Sequence, residues 1–130
     1  MTTLEQYLIF ILRLYGEVRN NMQDCLFCKI VKNEEPTEKV FENDDFIVIK
    51  NKFPVAPIHL LLIPKIHISK QDSLLGLDFD VWESFFRTQK LVVEDLKISP
   101  NYQLLVNAPG YAHFDHEHMH IISGLEKPLG

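Results

Sequence analysis

Near its carboxyl end the chain runs His116-Glu117-His118-Met119-His120-Ile121-Ile122. Imidazoles at every second residue suit two kinds of chemistry. They can ligate a metal ion, or one can attack an electrophile while its neighbours orient it or stabilise charge. If the run is a strand, side chains alternate faces. His116, His118 and His120 then share one side, and Glu117, Met119 and Ile121 the other. Three imidazoles are costly to dehydrate together, which marks their face as a site. At about 3.3 Å per residue the outer two Cα atoms stand roughly 13 Å apart. One ion held by all three, at bonds of about 2.0 Å, would need almost full reach from both ends. Adjacent pairs chelate more easily. A neutral imidazole attacking phosphorus needs no such reach.

A second constellation is Cys25-Leu26-Phe27-Cys28. C-x-x-C fits a redox pair or half of a tetrahedral zinc site. A redox pair would open a helix after a strand in a thioredoxin-like unit, and that context is missing. A zinc site needs two further ligands.

The elements that must position these groups read as an α+β domain. Residues 2–20 have helical spacing at Leu4, Leu8, Ile11, Leu14 and Val18, with Thr3 and Gln6 as a capping box. Asn20-Asn21 ends that helix. Strands are expected over 39–42 and 45–50, with a turn at Asn43-Asp44. A rigid loop, Phe53 to Pro57, leads to a strand over 59–63 stopped by Pro64. The main helix is expected over 80–97, with cap chemistry from Asp80 and Glu83. Its apolar face is Trp82, Phe85, Phe86, Val92, Val93 and Leu96. Ser99-Pro100-Asn101 ends it. A strand over 102–107, a tight loop with Pro109-Gly110 and a last strand near 115–122 complete a mainly antiparallel sheet with one main helix.

Taken in order, several segments resemble the histidine-triad (HIT) superfamily. They are Cys25-Leu-Phe-Cys28-Lys-Ile-Val, Val40-Phe41-Glu42-Asn43-Asp44, Ala56-Pro57-Ile58-His59 through Pro64-Lys65-Ile66-His67, Leu105-Val106-Asn107, and the H-x-H-x-H run itself. The resemblance covers most of the chain and implies a HIT-like, five-stranded fold. It implies that His118 attacks the α-phosphate of a nucleotide conjugate such as a nucleoside phosphoramidate. A nucleotidyl-histidine forms, and water then releases the nucleoside monophosphate. His120 would contact the phosphate and His116 would complete the triad. The Nδ1 of His118 should donate to a backbone carbonyl, leaving Nε2 to attack. Phe41 would line the base pocket, Asn43 or Asp44 would hold the ribose, and Asn107 would sit near phosphate or ribose. A structural Zn²⁺ would be held by Cys25, Cys28, His59 and His116. His67 also matches the family pattern but is read as facing solvent, outside the site. The resemblance further implies a purine nucleotide or nucleotide conjugate as ligand, and a homodimer with sheets joined across a twofold axis.

Three positions depart from the family. Ala112 and His113 stand where Gln and Ser or Thr are common, so His113 is either a proton donor near the nucleotide or a solvent-facing loop residue. Glu117 stands where an apolar residue is common, and a carboxylate there needs a partner or exposure. These departures leave open a zinc-stapled nucleotide-binding module without useful turnover. A metallohydrolase using pairs of triad histidines is the other alternative.

Size and charge agree with this frame. The 130 residues are 46% hydrophobic and 24% charged, as in a folded domain with a modest core. A formal charge of −5 offers no general basic surface for a nucleic-acid polymer. The apolar run Tyr7 to Leu12 is stopped by Arg13, so neither a membrane span nor a secretory signal is expected. A reducing cytoplasm is the expected location. Residues 1–21 read as a helical extension and 22–130 as the triad domain.

Overall fold

The computed structural model describes residues 24–98 and 100–130. The helix expected over 2–20 and the boundary at 21/22 lie outside the described residues. In chain order the elements are α1 (Leu26–Val31), β1 (Lys39–Glu42), β2 (Phe46–Lys50), β3 (Ile58–Pro64), α2 (Phe79–Asp95), β4 (Tyr102–Leu105) and β5 (Met119–Ser123). The strands form one sheet in the order β1-β2-β3-β5-β4, with every neighbouring pair antiparallel. This is the expected α+β architecture of a five-stranded sheet and one main helix.

Strand alternation divides the core into two layers. Ile47, Ile49, Leu61 and Ile63 pack against Leu26, Phe27 and Ile30 of α1 and against Phe114. Phe46, Val48, Leu60, Leu62, Met119 and Ile121 pack against Phe85, Val92 and Val93 of α2. The odd-numbered face of β2 and β3 thus belongs to α1 and the even-numbered face to α2.

α2 begins one turn position earlier than expected. The Asp78 carboxylate accepts from the Val81 amide at 3.1 Å and is the N-cap, while Asp80 lies within the first turn. The helix stops at Asp95, and Lys97 turns the chain at φ 55°, ahead of Ser99-Pro100-Asn101. Phe85, Val92 and Val93 are buried, but Phe86 is 55% exposed. Phe86 lies one helical step round from Phe85 and leaves the core face.

β4 ends two residues short of the expected 107, and β5 starts four residues after the expected 115. The approach to β5 pairs instead with the chain that follows β3. The Glu117 amide donates to the Ile68 carbonyl at 2.8 Å, and His116 bridges Ser69. That segment continues into a π-helical turn, Gln71–Leu75, ahead of α2. Beyond β5, Gly124 leaves the sheet at φ 94°, where a Cβ would lie 2.9 Å from the Pro57 ring.

Candidate active site and metal centre

The last turn before β5 places the histidine row on the α1 face. Met119 and Ile121 go to the α2 layer, so His118 and His120 face the other way, as strand alternation demands. Their rings lie 5.1 Å apart, and Phe27 of α1 meets the His118 ring edge-on at 5.1 Å. Phe114 packs beside Phe27, their ring centroids 4.7 Å apart, and meets the His118 ring at 6.2 Å. Phe27 and Phe114 also line a small cleft of about 50 Å³ bounded by Leu26, Ile30, Asn51 and Lys52. The row therefore stands at the edge of an apolar cleft with a polar rim.

A hydrogen bond assigns the His118 ring proton. His118 Nδ1 lies 2.9 Å from the His116 carbonyl oxygen. A carbonyl only accepts, so Nδ1 carries the proton and Nε2 keeps its lone pair. The Val55 amide donates to His59 Nδ1 at 3.1 Å. His59 Nε2 lies 2.8 Å from His120 Nδ1 and 3.1 Å from Asn51 Nδ2, whose amide is oriented by its oxygen accepting from the Phe53 amide at 2.9 Å. Among the described residues, His120 Nε2 is the buried side-chain N or O atom with no partner. A buried polar nitrogen left unpaired is costly, which marks Nε2 as a group held for a ligand.

The row is also held neutral. Burial pushes the His118 imidazole well below the usual range, helped by His120 and Lys70. Burial lowers His120 to about 3, with His59, Lys70 and His113 adding to the effect. His59 falls to about 4 through burial alone.

The thiols meet a different pair of imidazoles from the expected one. Cys25, Cys28, His67 and His116 bring one ligand atom each to within 4.8 Å of one another. Sγ of Cys25 lies 3.3 Å from His116 Nδ1, and Sγ of Cys28 lies 3.3 Å from His67 Nδ1 and 3.5 Å from His116 Nδ1. Tetrahedral zinc with bonds of about 2.3 Å to sulfur and about 2.0 Å to nitrogen sets sulfur and nitrogen about 3.5 Å apart. The residues fit that ion. His116 Nε2 lies 2.8 Å from the Pro64 carbonyl, which takes its proton and turns Nδ1 toward the thiols. Burial pushes the Cys25 thiol up to about 12, a direction that a coordinated divalent cation reverses.

His59 is thus not in the thiol cluster, and His67 takes its place. The register gives the reason. β3 pairs with β5 through His59↔Ile122 and Leu62↔Met119. His59 therefore stands level with the far end of β5, about 20 Å along the strand from the level of His116. His67 follows the end of β3 that lies beside His116, and the two rings approach to 4.8 Å.

The residues expected to contact base and ribose lie on β1 and the turn that follows it. Phe41 packs in the α2 layer. Asn43 closes the β1–β2 turn, its side-chain oxygen accepting from the Asp45 and Phe46 amides at 3.0 and 2.8 Å. Asp44 beside it is exposed. None of the three lines the cleft next to His118, where Phe27, Ile30, Phe114, Asn51 and Lys52 stand. Asn107 lies beyond β4, whose pairing Leu105↔His120, if continued, sets it level with His118. His113 is exposed, near enough for its charge to bear on His120. Sequence reading missed Phe27 and Ile30 as cleft residues, though their place between and beside the two cysteines could have indicated them.

The fold and site together define a small α+β protein with a neutral histidine row at an apolar cleft and a thiol–imidazole cluster beside it. Residues 24–129 match the family model described as "Scavenger mRNA decapping enzyme C-term binding". A "14 kDa zinc-binding protein" of Brassica juncea is 30% identical over 109 residues, covering 78% of this chain and 93% of that one. "Adenylylsulfatase HINT1" of Arabidopsis thaliana is 31% identical over 107 residues, covering 76% and 70%. Among solved structures, a HIT family hydrolase from Clostridium thermocellum superposes with a TM-score of 0.73 at 30% identity, covering 85% of this chain and 98% of that one. The chain belongs to the histidine-triad superfamily.

Proposed function

We propose that the protein hydrolyses a nucleotide conjugate at its α-phosphate, with His118 as nucleophile. The observation that carries this is the His118 tautomer: the His116 carbonyl holds its Nδ1 proton and leaves a lone pair at Nε2, with the buried, unpartnered Nε2 of His120 on the same face. His118 Nε2 attacks phosphorus, a P–N bond forms and the bond to the leaving group breaks. The ring keeps its Nδ1 proton, and the cationic adduct is stabilised by the His116 carbonyl. His120 Nε2–H donates to a phosphate oxygen as charge builds there. The leaving group takes a proton, from His113 or from water. Water then attacks phosphorus, the P–N bond breaks and the nucleoside monophosphate departs. Phe41 for the base, Asn43 or Asp44 for the ribose and Asn107 on the phosphate side are the nucleotide contacts that the family resemblance implies.

A zinc ion held by Cys25, Cys28, His67 and His116 would fasten α1 to the segment before β5, a structural duty. Among the described residues, this is the one group of three or more such ligands gathered within 4.8 Å. That favours nucleophilic over metal-assisted use of the row. The family match begins at residue 24, and we assign residues 1–21 to an extension of the triad domain. A homodimer is supported by β4 as a sheet edge and by exposed Phe86 and Leu91 on α2, at 55% and 50%. Two free thiols suit a reducing cytoplasm.

The test is mass spectrometry of the full chain with adenosine phosphoramidate. We expect AMP release and a transient adenylyl adduct on His118. Ala112 and His113 favour a second reading, binding without turnover. Binding of AMP with neither release nor adduct would establish that one instead.

A further inference from the structure

Glu117 is fully buried between two triad histidines, and Lys70 and Ser73 are buried with it. Three donors converge on its carboxylate. Lys70 Nζ and the His118 backbone amide, the latter at 2.9 Å, reach Oε1, and Ser73 Oγ reaches Oε2 at 2.6 Å. The neighbours on the same strand face, Met119 and Ile121, are apolar and fully enclosed. An apolar residue would fill position 117 with no charge to pair, so core packing does not account for the carboxylate.

Backbone accounting does. β5 pairs with its neighbours only from Met119 onward, and β4 ends opposite His120 at Leu105. The His118 N–H thus falls outside both ladders in a buried place, where a donor must find an acceptor. The carboxylate one residue earlier takes the part of the absent strand. It is not free to swing, because Lys70 and Ser73 grip it from the segment after β3. That segment is itself tied down: the Lys70 amide donates to the Asp115 carbonyl at 3.0 Å, and Trp82 of α2 donates to the Ser73 carbonyl at 2.9 Å. Gly76 closes its turn, where a Cβ would lie 2.5 Å from the Asp72 carbonyl oxygen.

We propose that Glu117 is a positioning residue for His118, held by Lys70 and Ser73 so that its carboxylate fixes the nucleophile's backbone amide. The inference rests on the reading of His118 as nucleophile. His118 is then secured at two points, its amide by Glu117 and its Nδ1 by the His116 carbonyl, and its Nε2 lone pair has one direction. A nucleophile displaced by an ångström loses about 100-fold in rate without losing affinity.

The experiment compares two full-chain double variants on adenosine phosphoramidate. Lys70→Met with Glu117→Leu removes both charges together, so no ion is left unpaired. Lys70→Met with Glu117→Gln is also uncharged but keeps an amide oxygen for the His118 N–H. We expect the first to keep its zinc content while kcat falls by about 10- to 100-fold and KM stays within about twofold. The second should recover most of the rate. Equal kcat in both variants, or a wild-type kcat in the first, overturns the proposal. Should the first variant not fold, NMR of the unmodified protein decides. A through-hydrogen-bond coupling between the His118 amide nitrogen and the Glu117 carboxylate carbon is expected, and its absence overturns the tether. Should the unmodified protein show no turnover, the nucleophile reading fails by itself, and the same coupling still decides the tether.

Discussion

His118 combines three features seldom found on one imidazole: burial, a fixed tautomer and a neutral ring. Its replacement by Ala should leave the fold and zinc content intact and lower turnover of adenosine phosphoramidate by at least about 1000-fold. Near-normal turnover would refute the nucleophile. The pH dependence follows from the same residue. The reactive form is neutral, and burial holds the folded group well below the usual 6.5. Turnover is then lost only as pH falls through that lowered value. We expect kcat/KM at pH 5.5 to stay within about twofold of its value at pH 7, where an ordinary imidazole would lose about tenfold. Much of this site was legible as residue types and spacing. Alternation placed His118 and His120 on one face, and the Nδ1-to-carbonyl bond was expected. The packing of Phe41 in the α2 layer and the closing of its own turn by Asn43 are constraints that spacing alone does not show.

At the scale of elements, β2, β3 and α2 could be read from period and caps. Two adjustments came from local competition: Asp78 outbid Asp80 for the free amides, and Phe86 fell outside the buried arc. The thiol–imidazole cluster depended on something periodicity does not carry, the register of β3 on β5. That register separates His59 from His67, and it yields a test. His67→Asn should remove zinc and lower the melting temperature, whereas His59→Asn should keep zinc and impair turnover through His120. Cys28→Ser should behave like His67→Asn, because α1 follows Cys25 directly and binding is coupled to folding. Metal analysis with thermal unfolding checks all three, and zinc loss from His59→Asn would reinstate the ligand set first expected.

At the scale of the whole molecule, the buried neutral histidines make stability depend on pH. His59 is lowered to about 4 and His120 to about 3, while unfolded imidazoles titrate near 6.5. Below 6.5 the unfolded chain takes up protons that the folded chain refuses, so stability is full above that pH and declines as pH falls. Each such histidine contributes up to about 1.4 kcal/mol per pH unit. We expect urea unfolding at pH 5 to show about 2–4 kcal/mol less stability than at pH 7. An unchanged midpoint would mean these rings are solvated. The helix expected over 2–20 would carry Leu4, Leu8, Phe10, Ile11, Leu14 and Val18 on one broad face, and burying each such large side chain is worth about 1.5–3 kcal/mol. Deleting residues 1–21 should therefore lower stability or change the oligomeric state seen in sedimentation, with turnover at His118 retained. A deletion that alters neither would show that the extension is independent of the triad domain.

His116 belongs to both halves of the site. Its ring faces the thiols, and its carbonyl holds the His118 proton. With the proposed zinc ion bound there, a reagent that strips it would free that ring, slacken the carbonyl and disarm the nucleophile several bonds away. Inhibition by a chelator is therefore no sign that an ion touches substrate in this protein. Exchange is the sharper diagnostic. Cobalt or cadmium seated among the same four side chains should sustain the wild-type rate, because a clamp is judged by its grip and not by its acidity.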